Sequence, residues 1–327
     1  MRLCPCNQRS IASAFAVALA LLGSAAFAQT YPSRPIKVIV PYTTGTGMDM
    51  IARIVGPKLS QRLGQPVVVE NRVGASGNIG GSAVATAAPD GYTLMANAQA
   101  MLIAARLFRS MPFDVLADFA PITLTAWGTQ ILVTHAKSGI TSVRELVAMA
   151  KANPGKLTYG TGGTGSSFHI TTEIFNGVTG IQMLHVPYKG NAPALTDLIA
   201  GRITVGVSAV HVVLPHVKAG TIVPLAVISA RRHDKVPDVP TMAEAGAAGV
   251  DVEFWHAFYA PKGTPEAITS RIRTELHAIL ALPEVSEAFG KVGLTPTTST
   301  AEELQALMRR DLARLEEVIR KHNIALD

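Results

Sequence analysis

The stretch Pro121-Ile-Thr-Leu-Thr-Ala-Trp-Gly-Thr-Gln-Ile-Leu-Val-Thr-His135 is rich in β-branched and aromatic residues, and it predicts one long extended segment. We interpret this segment as a strand that passes from one lobe of the protein to another. Residues 252–260 predict a second strand of this kind. Helices predicted at 266–282 and 301–322 would then complete the first lobe, with the second lobe inserted into it. A hinge of two strands between two lobes allows the cleft between them to close.

Predicted strands alternate with predicted helices on both sides of this stretch. Before it, strands are predicted at 36–40, 66–70 and 92–96, with helices at 51–63 and 82–88. After it, strands are predicted at 156–159, 181–186, 203–207 and 222–228, with helices at 167–176 and 192–200. This order is typical of parallel sheets with right-handed crossovers. We therefore predict an α/β fold with two lobes, each a mainly parallel sheet flanked by helices. Domain I would comprise residues 29–128 and 254–327, and domain II residues 129–253.

The first 28 residues have the three parts of a secretory signal peptide. Arg2 and Arg9 give a basic start, residues 11–22 form a short apolar run, and Ala26-Phe-Ala28 is an A-x-A cleavage site. The apolar run is shorter than the ~20 residues that a membrane-spanning helix needs. We predict cleavage after Ala28 and export of the mature protein; the alternative is a buried N-terminal helix.

Cleavage changes the composition of the protein. The 327-residue chain loses Cys4 and Cys6, its only 2 cysteines, so the mature protein would have no disulfide, thiol nucleophile or cysteine metal site. Loss of Arg2 and Arg9 reduces the 29 basic residues to 27 against 23 acidic ones, and the formal charge falls from +6 to +4. No basic run indicates binding of nucleic acid, and no later segment is apolar enough to predict a membrane span.

Three loops combine glycine with hydroxyl side chains where a predicted strand leads into a helix. They are Thr43-Thr-Gly-Thr-Gly47, Ala75-Ser-Gly-Asn-Ile-Gly-Gly81 and Thr161-Gly-Gly-Thr-Gly-Ser-Ser167. The start of a helix offers unpaired backbone N–H groups and a partial positive charge, which together bind anions. Glycine lets the backbone approach a ligand, and Ser and Thr add hydroxyl donors. Loops from both lobes could therefore hold an anionic group without lysine or arginine. The alternative is that they are ordinary tight turns and helix caps.

Two other patterns in the sequence resemble a cofactor site and a metal site, but each lacks a feature that such a site requires. The sequence Gly160-Thr-Gly-Gly-Thr-Gly165 matches the dinucleotide fingerprint, after a predicted strand and before a helix. The acid expected about 20 residues later is missing, because the next strand ends in His185-Val-Pro187. We therefore predict no dinucleotide and no other cofactor. His211 and His216 lack the i, i+4 spacing of a helical zinc pair, so we predict no metal site.

Three side chains near the loops each have two interpretations. Asp49 lies in the first turn of the first helix, where a carboxylate caps the helix, orients the loop or accepts a ligand donor. His169 follows the second-lobe loop and could donate to a ligand or pack at the helix start. Lys189, in the turn after the strand at 181–186, could counter an anion or remain solvated.

Several longer motifs resemble those of the substrate-binding subunits of tripartite tricarboxylate transporters, the Bordetella uptake gene family. The resemblance covers essentially the whole mature chain. Its motifs are Tyr31-Pro-Ser-Arg-Pro-Ile36, Gly64-Gln-Pro-Val-Val-Val-Glu-Asn-Arg72, Ala88-Pro-Asp-Gly-Tyr-Thr-Leu94, Asp118-Phe-Ala-Pro-Ile122, His185-Val-Pro-Tyr-Lys-Gly190, Pro193-Ala-Leu-Thr-Asp-Leu198, Val239-Pro-Thr-Met-Ala-Glu-Ala-Gly246 and Ala260-Pro-Lys-Gly-Thr-Pro265.

The resemblance implies a periplasmic receptor of the Venus-flytrap, type II-like kind that binds a small carboxylate between its lobes. It implies di- or tricarboxylates, acidic amino acids or aromatic acids as ligands, and a large and a small membrane subunit as partners. It implies no catalysis, and we expect a monomer. At matching positions, and with Asp49 added from its place beside the first loop, the candidate ligand-binding residues are Thr43, Thr44, Gly45, Thr46, Asp49, Thr161, Gly162, Gly165, Ser166, Ser167, His169, Lys189, Gly190 and Ser208.

The sequence departs from the family pattern at two places. The family's first loop often has the pattern Pro-Phe-Pro-Pro-Gly-Gly-x-x-Asp, whereas this chain has Pro41-Tyr-Thr-Thr-Gly-Thr-Gly-Met-Asp49. In the strand at 203–208, Thr204 and Ser208 stand where the family often has acids. More hydroxyls and fewer acids favour anionic ligands that form hydrogen bonds.

Two other function classes stay open at this point. A receptor could signal through a membrane sensor instead of supplying a transporter. An exported hydrolase is the other alternative, but Ser166 and Ser167 lie outside a G-x-S-x-G motif and have no Asp–His partner that the sequence identifies.

Overall fold

The computed structural model describes residues 31–107, 110–164, 166–250 and 254–321. The predicted signal peptide and its cleavage site after Ala28 lie outside these residues. The described strands are β1 (Ile36–Val40), β2 (Val67–Asn71), β3 (Thr93–Ala98), β4 (Phe119–Gly128), β5 (Gln130–His135), β6 (Thr158–Thr161), β7 (Leu184–Pro187), β8 (Val205–Ala209), β9 (Ile222–Ile228), β10 (Phe254–Pro261) and β11 (Leu294–Pro296). The described helices are α1 (Gly47–Leu63), α2 (Asn78–Ala85), α3 (Ala100–Leu107), α4 (Val143–Ala152), α5 (Ser167–Thr179), α6 (Asn191–Ile199), α7 (Val210–Lys218), α8 (Glu266–Leu280), α9 (Pro283–Lys291) and α10 (Ala301–Lys321).

The first sheet has 6 strands in the order β11-β4-β10-β3-β1-β2. β1 pairs in parallel with β2 and β3, whereas β10 runs antiparallel to both β3 and β4, and β11 runs antiparallel to β4. β1 to β4 therefore point the same way, and their carboxyl ends lie along one edge of the sheet. Helix α1 follows β1 and ends at Leu63, and the next residue, Gly64, has a φ of 71°, which allows a left-handed cap.

The second sheet has 5 strands in the order β7-β6-β8-β5-β9. β6 pairs in parallel with β7 and β8, and β5 runs antiparallel to its neighbours β8 and β9. All strands except β5 therefore point the same way. The predicted two-lobed α/β fold is confirmed, and its sheets are mixed because β10 and β11 are reversed in the first sheet and β5 is reversed in the second.

The predicted long strand at 121–135 is two strands that belong to different sheets. Gly128, the last residue of β4, pairs with Phe254 and Leu294 in the first sheet. Gln130, the first residue of β5, pairs with Ala209 and Ile228 in the second sheet. A single residue, at position 129, joins the two. The predicted second crossing at 252–260 differs, because β10 lies wholly in the first sheet and residues 251–253 are outside the described part. The boundaries of domains I and II stay a prediction.

Four described helices, α3, α4, α7 and α9, have no counterpart in the sequence prediction. Residues 100–104 of α3 are all buried, so no apolar stripe reveals a helical period. Helix α7 has the sequence Val-His-Val-Val-Leu-Pro-His-Val-Lys, in which valines favour strands. Packing against neighbouring elements overrides that weak local preference. The remaining predicted helices and strands overlap those observed.

The glycine-rich stretch at 74–81 is only partly a loop. A short 3₁₀ turn spans Ala75–Gly77, and helix α2 begins at Asn78 instead of position 82. Gly80 lies inside the helix because a Cβ there would be 2.7 Å from the Arg72 carbonyl oxygen and 2.8 Å from the Pro41 Cα. These glycines therefore allow α2 to pack directly on backbone that follows β1 and β2.

The substitution Gly80→Ala tests this close packing. Alanine favours a helix over glycine by about 1 kcal/mol. Overpacking usually costs about 1–3 kcal/mol, and we expect about 2–3 kcal/mol here because backbone atoms at 2.7 and 2.8 Å cannot easily move aside. We expect a net loss of about 1–2 kcal/mol in the free energy of unfolding, measured with urea at neutral pH.

Gly290→Ala is the matched control, since Gly290 lies in α9 and a Cβ added there would have no atom within 4 Å. It should leave stability unchanged or raise it by up to about 1 kcal/mol. Equal effects of the two substitutions would contradict the packing argument.

Candidate functional site

The first-lobe loop after β1 presents hydroxyl groups beside the start of α1. Thr43, Thr44 and Gly45 are exposed. The Thr46 hydroxyl donates to the Thr43 carbonyl at 2.9 Å, which closes the loop as a tight turn. Thr46 occupies the N-cap position of α1, but its side chain does not cap the helix. The first N–H groups of α1 are therefore left without a side-chain cap, as a ligand-binding helix start requires.

Asp49 orients this loop from beneath. Its buried carboxylate accepts hydrogen bonds from the Gly45 N–H at 2.9 Å, Arg53 Nε at 2.9 Å and Asn71 Nδ2 at 2.9 Å. Burial alone would raise the pKa of Asp49, but the hydrogen bonds from Arg53, Gly45 and Asn71 together lower it. Both carboxylate oxygens are thus engaged within the protein, and Asp49 acts on the loop instead of presenting a free acceptor to the cleft.

A buried histidine supports the same loop from the sheet. His256 in β10 lies against the start of α1, where a Cβ on Gly47 would be 2.5 Å from its Nε2 atom. Burial lowers the pKa of His256 to about 3, so the ring is neutral at neutral pH. The start of α1 therefore packs directly on the sheet, and the histidine beneath its N–H groups carries no charge.

The second-lobe loop after β6 leads into a capped helix. Ser166 is the N-cap of α5, and its hydroxyl accepts the His169 N–H at 3.3 Å. Thr161 and Ser208 line one small cavity together with Asn191, the first residue of α6. Gly162 leaves room for the Asn191 side chain, which a Cβ would displace. The ends of β6 and β8 and the start of α6 thus meet at one place.

Three stacked rings lie behind this loop. The ring centroids of His169 and His185 are 3.9 Å apart, and those of His185 and Tyr159 are 4.9 Å apart. The Thr161 hydroxyl lies 2.7 Å from His185 Nε2, and the Tyr159 hydroxyl donates to Glu173. Burial and then the charge of His185 lower the pKa of His169 to about 3, and burial lowers the pKa of His185. Both imidazoles are neutral at neutral pH, so they add hydrogen-bonding groups to the site and no net charge.

The two lobes touch through their loops. The Ser76 hydroxyl, between β2 and α2, donates to the Thr164 carbonyl at 2.8 Å, and Thr164 belongs to the loop after β6. Ser76 has a φ of 53°, and the Tyr42 hydroxyl donates to its carbonyl at 3.3 Å. A second contact brings the Phe168 and Phe254 rings within 6.3 Å. The three predicted loops therefore meet, the first touching the second through Tyr42 and the second touching the third through Ser76, and we call this form with touching loops the closed form.

The predicted site residues fall into different groups. Those of the first loop lie together around Asp49, and Thr161 and Ser208 meet in the second lobe. Lys189 is exposed, and no ion pair to it is found within the described residues. Gly190 is the N-cap of α6 with a φ of 112°, and Gly165 lies outside the described residues.

Sequence reasoning missed Ser76, His185 and Asn71. Each stands in a stretch that the sequence had marked, either the second glycine-rich loop or a family motif. Their roles arise from contacts with residues far along the chain, such as the 88 positions that separate Ser76 from Thr164. No local pattern reports such contacts.

The arrangement suits reversible binding of an anion. Helices α1, α2 and α6 begin without a side-chain cap, and hydroxyls surround their N–H groups. Within the described residues, no group of three or more His, Cys, Asp or Glu side chains could hold a metal ion. The same part of the chain contains no helix with the length and apolar character of a membrane span.

Two sheets joined by a one-residue crossing, with loop-bearing edges on a common cleft, define a two-lobed solute-binding protein. The chain belongs to the tripartite tricarboxylate transporter receptor family, because the model of that family's receptor matches residues 51–324. Receptors of this family are periplasmic binding proteins.

Individual relatives agree with this assignment along nearly their whole length. Protein BugT of Bordetella pertussis is 35% identical over 96% of this chain and 98% of its own. An R. palustris protein solved with adipate has a TM-score of 0.84 and 35% identity, covering 90% of this chain and 99% of the other. MatC from Rhodopseudomonas palustris with bound malate has a TM-score of 0.82 and 27% identity, covering 88% and 100%.

Asp49→Asn should loosen the first loop. The substitution keeps the size of the side chain but removes the charge that accepts from Arg53, Gly45 and Asn71. We expect a loss of about 1–3 kcal/mol in the free energy of unfolding at pH 7, the usual effect of weakening hydrogen bonds to a buried charged group.

The pH dependence gives a second readout of the same substitution. A lowered folded-state pKa means that Asp49 stabilises the protein above its unfolded pKa of about 3.9, and that this contribution disappears as the pH falls through the folded pKa. The stability difference between wild type and Asp49→Asn should therefore shrink between pH 7 and about pH 2. Asp238→Asn, at an exposed position, is the control and should change stability by less than about 0.5 kcal/mol. A difference that is independent of pH would contradict this account.

Proposed function

We propose that this protein captures a small carboxylate, of the dicarboxylate size, between its lobes. The observation that carries the proposal is the meeting of three glycine- and hydroxyl-rich loops across the cleft, with Ser76 Oγ 2.8 Å from the Thr164 carbonyl oxygen. Adipate and malate, bound by two related structures, are the carboxylates with which the proposal starts.

Electrostatics at the cleft favour an anion held by dipoles instead of side-chain charges. His169 and His256 are neutral because burial lowers the pKa of each to about 3. Asp49 is already saturated with donors, so it adds little repulsion. Helix N-termini and hydroxyls remain as the groups that would bind the carboxylates, and each such contact to a charged ligand contributes about 1.5–3 kcal/mol.

A binding role without catalysis fits the positions of the candidate nucleophile and base. The Ser166 hydroxyl accepts a backbone N–H as the cap of α5. The ring of His169 stacks on His185 at 3.9 Å. In a serine hydrolase, by contrast, the imidazole of the base accepts the serine hydroxyl proton. We therefore propose a receptor and not an exported hydrolase.

The proposed physiological setting follows from the family. We propose that the chain is processed after Ala28, acts as a monomer in the periplasm and delivers its ligand to one large and one small membrane subunit. A receptor for a membrane sensor is the alternative, and recovery of the membrane partner by crosslinking in cells would distinguish the two.

A thermal-shift panel tests the ligand class. Adipate, malate, citrate and glutamate should raise the melting temperature, whereas uncharged sugars and simple amines should not. A ligand at 100 times its Kd stabilises the folded state by about 2.7 kcal/mol, which is a readily measured shift. Stabilisation by sugars or amines alone would refute the carboxylate proposal.

Ser76→Ala should weaken ligand binding without unfolding the protein. The substitution removes the hydroxyl that joins the two loops and leaves the main chain intact. Loss of one hydrogen bond of about 0.5–1.5 kcal/mol predicts an adipate Kd about 2- to 10-fold higher, mostly through faster dissociation. Ser286→Ala, at an exposed position on α9, is the control. Isothermal titration and stopped-flow kinetics measure both effects, and an unchanged Kd for Ser76→Ala would mean that the contact does not support closure.

A further inference from the structure

A second cleft lies on the opposite side of the crossing from the candidate site. In the first sheet, β4 has β10 on one side and β11 on the other; in the second sheet, β5 has β8 on one side and β9 on the other. The three loops of the candidate site follow β1, β2 and β6. In the first sheet, β1 and β2 lie on the β10 side of β4; in the second sheet, β6 lies on the β8 side of β5. A cavity of about 880 Å³ is lined by the segment after β9, the end of α9 and β11, on the other side. We call it the rear cleft.

The rear cleft is strongly basic. Its lining includes four cationic side chains, of Arg231, Arg232, Lys235 and Lys291, and one acidic side chain, of Asp234. Arg232 pairs with Glu244 at 2.9 Å, and Lys291 pairs with Glu287 at 2.8 Å. Arg231 and Lys235 are exposed, and neither has an ion-pair partner among the residues that the structure describes. The segment after β9 thus presents two cations without an ion pair to this concave space, beside two paired ones, and this surplus of positive charge attracts anions.

Other groups in the rear cleft suit a bound organic molecule. Trp127 and Phe254 give it apolar walls. His211 lines it as well. A volume of about 880 Å³ is in the usual range for small-molecule pockets. Apolar walls with a few polar groups and several cations match a small molecule with more than one negative charge.

We call the space between the three loops of the candidate site the front cleft. We propose that the rear cleft is a second ligand site, for a small polyanion, and that its occupant favours closure of the front cleft. The lobes turn about the crossing at position 129, so the two sides of the crossing move in opposite directions when the front opens. The rear cleft is open in a structure whose front loops touch at 2.8 Å. An occupant that fits the rear cleft in this form therefore selects the closed form.

Inorganic pyrophosphate is the probe for the rear site, because it is a polyanion without a carboxylate. Isothermal titration of the unliganded protein at low salt should detect its binding. The double substitution Arg231→Gln with Lys235→Gln should raise the pyrophosphate Kd about tenfold or more. Lys156→Gln with Lys262→Gln removes the same charge at exposed positions outside the cleft and should change the Kd by no more than about twofold. Both pairs are on the surface, so thermal melting should show that the variants remain folded.

Two results of this titration would overturn the rear site. One is no binding of pyrophosphate to the wild-type protein. The other is equal weakening by the two double substitutions, which would indicate attraction by net charge alone.

A second experiment tests whether the rear cleft is coupled to the front cleft, and it rests on the proposed function. Saturating pyrophosphate should lower the adipate Kd about fivefold in the wild type, at the lower end of usual coupling, and not in Arg231→Gln with Lys235→Gln. Displacement of adipate by pyrophosphate would place the probe in the front cleft and overturn the proposal, and an unchanged adipate Kd would overturn the coupling. If adipate does not bind at all, the proposed function fails, while the titration with pyrophosphate alone still decides the rear site.

Discussion

The single residue between β4 and β5 is the constraint on which the architecture depends. β4 points the same way as β1, β2 and β3, so it leaves the first sheet at the edge where their carboxyl ends lie. β5 is antiparallel to β8, so it enters the second sheet at the carboxyl ends of β6, β7 and β8. One residue cannot span from one edge of a sheet to the other. The crossing therefore obliges the two loop-bearing edges to face each other, and the reversed strand β5 is a requirement of that arrangement.

This constraint also explains why the site needs little side-chain charge. Helix starts follow the carboxyl ends of parallel strands, so two facing edges bring several helix N-termini to one cleft. The Asp49 carboxylate is fully hydrogen-bonded within the protein, where it holds the first loop, and burial keeps the stacked histidines neutral. Selectivity must then come from where hydroxyls and N–H groups lie, because a ligand without matching acceptors leaves them unsatisfied at a cost of about 1–3 kcal/mol each.

Much of this fold could be predicted from local patterns, whereas the contacts that complete the site could not. The run Ile36–Val40, the helical spacing that follows and Gly64 define β1 and α1 because each signal is local. The start of α2 was harder to predict. Glycine is needed at position 80 because the backbone of two other segments leaves no room for a side chain there, and its neighbours in sequence do not show this. Ser76 and His185 act through residues that the fold brings near, so the sequence marked their loops but not their roles.

The conformation of Ser76 bears on how the receptor closes. Ala75 and Ser76 both have positive φ, at 44° and 53°, and such a backbone costs about 1–2 kcal/mol per residue. Tyr42 and Ser76 belong to the same lobe, and the hydrogen bond between them at 3.3 Å does not depend on the other lobe. The strain is therefore borne when the first lobe folds and is not added when the cleft closes. The contact with Thr164 then contributes about 0.5–1.5 kcal/mol to closure, too little to hold the lobes together alone. Closure therefore also draws on apolar contacts between the lobes, such as that of the Phe168 and Phe254 rings, and a ligand between the lobes adds its own contacts to the closed form.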